Sequence, residues 1–296
     1  MQAVGLIGLG AMGRGMARNL HKAGLLKSIW NRSPDVAAEL AKSLEIDAAS
    51  SPADLAAASD VVVLCVAADA DVLEMVDAIL PGLRSGSIVI DCSTVGAETA
   101  RTAAARLATR GAGFLDAPVS GGVEGARDGT LAIMVGGSPE TFAQAEPVLA
   151  AMGRTVTHFG PNGAGQAAKA TNQIMCAGII QAVAEAMAFA KAEALPLEKL
   201  VDTLGKGAGS SWYFVNRAPN MVKGAYPAGF RVRLHEKDLR ICREMAARHG
   251  VELPVVETTL EHYRRLIEQG HGDEDISTIF RFKDELFAQD PAGADK

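Results

Sequence analysis

Short apolar runs alternate with amphipathic stretches through the first half of the chain. Positions 4–7 and 26–30 read as strands, and 61–66 and 88–91 are continuous apolar runs of the kind a parallel sheet buries on both faces. Between them, helical periodicity covers 12–23 and 95–110, and Ser33-Pro34 supplies a cap and a first-turn proline for another helix. Strands are predicted again at 114–116, 131–135 and 155–159, with a helix after Pro139. Alternation of this kind implies βαβ units around a parallel sheet.

The pattern changes at Gly160-Pro161-Asn162-Gly163, a cluster of breakers. Almost no strand signal follows. An alanine-rich helical pattern runs over 167–192 and stops before Leu195-Pro196, and further helices are predicted over 197–205, 238–249 and 255–269. The organisation expected is α/β plus all-α: a parallel-sheet domain over 1–161 and a helical domain over 162–296, entered through a long helix. Residues 289–296 are expected to fray.

Composition narrows function more than fold. The 296 residues are 48% hydrophobic and 22% charged, enough to build two cores and unlike a disordered chain. A net charge of −6 leaves nucleic-acid binding without an electrostatic footprint. Cys65, Cys92, Cys176 and Cys242 lie far apart in sequence and the histidines show no ligand spacing, so neither a disulfide framework nor a metal is expected. No signal-peptide pattern opens the chain. The uncharged stretch 170–184 is short and carries Thr171, Asn172, Gln173 and Gln181, too polar to span a bilayer. These features predict a cytoplasmic protein with no membrane or nucleic-acid partner.

Two segments and one loop carry chemistry. Gly8-Leu9-Gly10-Ala11-Met12-Gly13 fits GxGxxG between a strand and a helix. Gly8 permits the tight turn, Gly10 leaves room for a pyrophosphate, and Gly13 lets helix and sheet approach. The next strand ends at Trp30-Asn31-Arg32-Ser33, without the carboxylate that usually accepts from an NAD ribose. Arg32 instead suits a 2′-phosphate, with Asn31 and Ser33 donating hydrogen bonds, so NADP is expected and NAD remains possible.

Farther on, Ser120-Gly121-Gly122 offers a hydroxyl and open backbone N–H groups, which suit a carboxylate or form an ordinary turn. In the segment 163–173, Lys169, Asn172 and Gln173 stand at i, i+3 and i+4, on one helix face among small apolar neighbours. A lysine there either snorkels to solvent or is used. Desolvation lowers a lysine's affinity for its proton, which suits it to acid/base work. Asn172 would orient the ammonium and Gln173 would hold substrate. Trp212, after the flexible 207–211, either closes over substrate or packs in a core.

These motifs, GLGAMGRGMARNL at 8–20, DCST at 91–94, DAPVSGG at 116–122, GAGQAAKATNQ at 163–173 and HEKDL at 235–239, resemble the β-hydroxyacid dehydrogenase family in the right order over nearly the whole chain. That family includes 3-hydroxyisobutyrate dehydrogenases, tartronate semialdehyde reductases and glyoxylate/succinic semialdehyde reductases. The resemblance implies a Rossmann domain, a long interdomain helix and a C-terminal helical domain of the 6-phosphogluconate-dehydrogenase type that assembles as a homodimer or homotetramer. It implies Lys169 as acid/base with Asn172 in support. Ser120, Gly121 and Gly122 would lie on the substrate carboxylate, Thr94 beside the nicotinamide, and Val66 and Ala67 on the adenosine side. Lys237 would reach cofactor or substrate, with Asp238 beside it.

The expected reaction moves a hydride between the nicotinamide of NADP or NAD and a short 3-hydroxy acid or its semialdehyde. Some positions depart from the pattern: Gln173 replaces the second Asn of KxxNN, Asn31 stands where many relatives carry Asp, and Val66-Ala67 replaces Leu-Pro. The run 229–239 looks more like the tartronate semialdehyde reductases. A decarboxylating enzyme of the 6-phosphogluconate type is the enzymatic alternative, although Thr171 stands where those enzymes tend to carry His. A non-catalytic NADPH-binding scaffold is the alternative of another class.

Overall fold

The structure, a computed structural model, describes residues 2–288; the expected fraying of 289–296 lies outside them. The chain divides into two compact units between Lys169 and Ala170.

The first unit alternates strand and helix in the order β1 (Val4–Ile7), α1 (Ala11–Lys22), β2 (Leu26–Trp30), α2 (Pro34–Leu44), β3 (Asp47–Ala48), α3 (Pro52–Ala57), β4 (Val61–Leu64), α4 (Asp69–Ile79), β5 (Ile88–Asp91), α5 (Ala97–Ala108), β6 (Gly113–Asp116), β7 (Val119–Ser120), α6 (Gly122–Asp128), β8 (Leu131–Gly136), α7 (Pro139–Met152), β9 (Gly153–Gly160) and the start of α8 (Ala164–Ala192). The strands form one sheet in the order β3-β2-β1-β4-β5-β6-β8-β7, with β9 beside β8. From β3 to β6 every pair is parallel, which is the Rossmann order. β8 departs from the all-parallel expectation and runs antiparallel to β6 and β7. Only Ala117-Pro118 separates β6 from β7, too short for a crossover connection.

The continuous apolar runs arise because both sheet faces are covered. Leu6, Val63 and Ile90 pack with Met16 and Leu20 of α1. Ile7, Val62 and Val89 point the other way, onto Val72 and Met75 of α4 and Leu107 of α5. Alternate residues of one strand thus feed two cores.

The second unit is helical: the rest of α8, then α9 (Leu197–Leu204), α10 (Trp212–Lys223), α11 (Val232–Ala247), α12 (Pro254–Glu268), a short 3-10 turn (Ile276–Ile279) and α13 (Phe280–Ala288). Ala177, Ile180, Ala184 and Met187 of α8 pack with Phe214, Met221, Leu239 and Tyr263. α8 is 29 residues long and, by length and composition alone, apolar enough to cross a bilayer, which the stretch 170–184 understates. Its buried face serves the helical core.

The helices α3, α4, α6, α10 and α13 were not predicted, and α11 starts early. α10 carries Pro219 in its interior, which masks its periodicity. α11 starts at Val232, six residues before the predicted onset at 238, because its first turns are mostly charged. Its start is fixed by tertiary bonds from Val232 N–H to the Glu274 carbonyl and Arg233 N–H to the Gly272 carbonyl, 3.0 Å each.

Candidate active site

The glycine loop has the shape its sequence requires. Gly8 sits at φ +97°, where L side chains are strained, and a Cβ there would also collide with the Cys65 carbonyl. A Cβ at Gly13 would strike the Gly8 carbonyl, whereas one at Gly10 would meet nothing within 4 Å. Gly8 and Gly13 are therefore fixed by sterics, and Gly10 keeps open the space over the start of α1. That helix has no acidic residue in its first turn and no side chain capping its N-terminus. Leu9, Ala11 and Met12 complete a cradle that fits a dinucleotide pyrophosphate.

At the end of β2, Asn31 is occupied by the loop itself. Its Oδ1 accepts from Leu9 N–H at 3.0 Å and its Nδ2 donates to the Ser33 carbonyl at 3.3 Å. Asn31 thus shapes the glycine loop through a partner 22 residues away in sequence. Ser33 caps α2 by position and makes no side-chain cap bond. Arg32 donates to Asp71 at 2.8 Å and to Glu74 at 3.0 Å, both on α4. The Asp71 hydrogen bond, then the Glu74 charge, raise its hold on the proton.

The loops after β4 and β5 are tied together. Val66 N–H donates to Ser93 Oγ at 2.9 Å, and Ser93 N–H donates to Asp91 Oδ1 at 3.0 Å. Val66 and Thr94 are half-buried and Ala67 is exposed at this rim. Ser120 ends β7, and Gly121 (φ +130°) and Gly122 (φ +65°) need left-handed backbone, so the pair marks a real conformational requirement. The following α6 is held to α1 by Asn19 Nδ2 donating to the Ala126 carbonyl at 2.7 Å. A Cβ at Gly15 would collide with the Ala126 and Arg127 backbone, so α1 and α6 are in close contact.

Lys169 is placed by the first turns of α8. Asp116 accepts from Gly163 N–H at 2.8 Å and from Gln166 N–H at 3.0 Å, capping the helix from β6. Burial pushes the Asp116 carboxyl up, and the Gly163 and Gln166 N–H groups pull it back. Gly165 passes so close to the Asp116 and Met134 carbonyls that no Cβ would fit. The Gln166 side chain accepts from Val95 N–H at 3.2 Å and donates to the Ser93 carbonyl at 2.9 Å, gripping both neighbours of Thr94. Lys169, one turn on along the same face, is 7% exposed. The snorkelling alternative is thereby excluded.

Within the helical unit, Asn172 Nδ2 donates to Gln173 Oε1 at 2.7 Å, and Gln173 Nε2 donates to Asp238 Oδ2 at 2.7 Å. Lys237 Nζ pairs with Asp238 Oδ1 at 2.9 Å. Gln173 is 2% exposed with its amide engaged at both ends, so its visible work is to align Asn172 and Asp238. Trp212 is 58% exposed and lies over the Arg217 guanidinium at 5.1 Å, so it is not a core residue. Its neighbour Tyr213 is the buried one.

Sequence reasoning missed Asp116 and Gln166 as the supports of Lys169, and Asp71 and Glu74 as partners of Arg32. A lone carboxylate ending the apolar strand 114–116 was a signal for the first. The others are visible only once remote segments meet.

Residues 3–160 match the model for the NAD binding domain of 6-phosphogluconate dehydrogenase. Residues 163–282 match that described as NAD-binding of NADP-dependent 3-hydroxyisobutyrate dehydrogenase. An NAD-dependent L-serine dehydrogenase of Pseudomonas aeruginosa is 35% identical over 294 residues, 96% of this chain and 98% of the relative. The mitochondrial 3-hydroxyisobutyrate dehydrogenase of Mus musculus is 34% identical over 291 residues, 94% of this chain and 86% of the relative. A Mycobacterium tuberculosis 3-hydroxyisobutyrate dehydrogenase solved with L-serine superposes with a TM-score of 0.86 at 31% identity, covering 95% of this chain and 99% of that one.

Proposed function

Because the chain belongs to the β-hydroxyacid dehydrogenase family, an NAD(P)-dependent oxidoreductase acting on the hydroxyl group of hydroxy acids, we propose that its substrate is a short 3-hydroxy acid of the 3-hydroxyisobutyrate type. The observation that carries this reading is the buried Lys169, on a helix whose first turn is fixed by Asp116 and Gln166, in the same compact unit as the glycine loop and Ser120.

The cofactor supplies the hydride acceptor or donor when bound. In oxidation Lys169 takes the proton from the substrate hydroxyl, and in reduction it returns one to the carbonyl oxygen as charge develops there. Ser120, with the N–H groups of Gly121 and Gly122, anchors the carboxylate and so sets which carbon can react. Asn172 steadies Lys169 from one turn along α8, and Gln173 keeps Asn172 and Asp238 aligned. We assign Trp212 and Asp238 to the substrate and Lys237 to the cofactor. Gly8 to Gly13, Val66, Ala67 and Thr94 receive the dinucleotide, and Arg32, with Ser33, reads its 2′ position, with NADP preferred.

The reverse reading, reduction of tartronate, glyoxylate or succinic semialdehyde, is supported by the run 229–239. L-Serine, itself a 3-hydroxy acid, belongs in the comparison because a relative carries that name. The decisive experiment is a panel with both cofactors: 3-hydroxyisobutyrate, 3-hydroxypropionate, D-glycerate and L-serine for oxidation, and the three aldehydes for reduction. Turnover on none of them refutes the substrate class. The exposed apolar Met175 and Phe189 on α8 support a homodimer or homotetramer, checked by light scattering.

A further inference from the structure

We propose that Asp71 and Glu74 set the balance between NADP(H) and NAD(H) by competing with the cofactor's 2′-phosphate for Arg32. The proposal rests on reading Arg32 as the residue that faces the 2′ position.

The fold places the adenosine ribose at the end of β2, where a dinucleotide-binding domain reads the 2′ substituent. Arg32 follows β2 by two residues. The expected cation is there, but not alone: Asp71 and Glu74, projecting from α4 after β4, two strands over across β1, bond the same terminal nitrogen of its guanidinium. That geometry has two consequences. First, both planar forks of a guanidinium, Nε with Nη2 and Nη1 with Nη2, include the nitrogen these carboxylates hold, so an incoming phosphate gains a bidentate grip only by displacing them. Second, the trio carries one positive and two negative charges. A 2′-phosphate of nearly two negative charges therefore enters a site whose local sum is already −1, whereas a 2′-hydroxyl meets no such repulsion. The carboxylates stand where β2 itself offers none, since Asn31 is spent on the glycine loop. They thus act as a counterweight from the β4–α4 unit, tempering an arginine that would otherwise favour NADP strongly.

The side chains of Arg32 and Glu74 are 65% and 60% exposed and Asp71 is on the rim, so substitutions here act on charge with little effect on packing. The test titrates NADPH and NADH, by nicotinamide fluorescence, into the full-length protein and into Asp71→Asn/Glu74→Gln and Arg32→Ala variants, with circular dichroism checking the fold. The readout is the ratio of the two dissociation constants. In the double variant the ratio is expected to move toward NADPH by about three- to tenfold. That gap should shrink as ionic strength rises from about 0.05 M to about 0.5 M. In Arg32→Ala the ratio should move toward NADH. If Arg32→Ala shifts the ratio but the double variant leaves it unchanged or moves it toward NADH, the competition is overturned while the reading of Arg32 stands. If Arg32→Ala leaves the ratio unchanged, both fall.

Discussion

The role proposed for Lys169 depends on what surrounds it, because an amine in bulk water is a poor base at neutral pH and an amine on a rigid, shielded turn is a controllable one. Replacing it with alanine is expected to lower kcat by at least about 10²-fold with NADPH affinity kept, measured by steady-state kinetics beside fluorescence titration. Loss of cofactor affinity with normal turnover would contradict the assignment. Ser120→Ala tests the carboxylate anchor at the same scale. A hydrogen bond to a charged group is worth about 1.5–3 kcal/mol, so KM for the hydroxy acid should rise about tenfold or more, with kcat changed less. Individual side chains differed in how far the sequence revealed them. Gly8, Gly10 and Gly13 were legible because their constraint is local backbone geometry. Asn31 and Gln173 were assigned to ligands, and the protein bonds they also make were not legible, since an amide's partners lie wherever the fold brings them.

Elements were read well where burial dictates pattern. β1, β4 and β5 lie in the sheet interior, and their unbroken apolar runs leave little ambiguity. α10 was not, because a proline sits inside it, and β8 pairs with strands whose direction no periodicity encodes. The first turn of α8 is the element on which catalysis leans. Gln166→Leu would leave the Val95 N–H and the Ser93 carbonyl without their side-chain partners, at a cost of about 2 kcal/mol. Urea denaturation should show that loss, and kcat should fall more than cofactor affinity.

Asp116 adds a pH dependence. Its folded affinity for the proton is raised by burial, so its contribution to stability is complete below the ordinary value of 3.8 and fades as pH climbs through the higher folded value. Urea midpoints of the wild type, taken against Asp116→Asn, should therefore decline across that window. A difference that grows with pH would show that the N–H bonds outweigh burial.

At the scale of the molecule, the glycine loop, Lys169 and Ser120, to which we assign cofactor, proton transfer and carboxylate, belong to one compact unit. A ligand that binds the folded state stabilises it by mass action, so NADPH at about a hundred times its Kd should add about 2.7 kcal/mol, seen as a rise of a few degrees in a thermal melt. An absent shift would contradict binding at the glycine loop. The division between the units falls just after Lys169, within a continuous helix. A chimera that keeps everything through that lysine and takes its remainder from a relative would inherit redox and protonation chemistry from one parent. Because Ser120 and its glycine pair stay with the first parent, any change in the preferred acid would be traced to the part that follows.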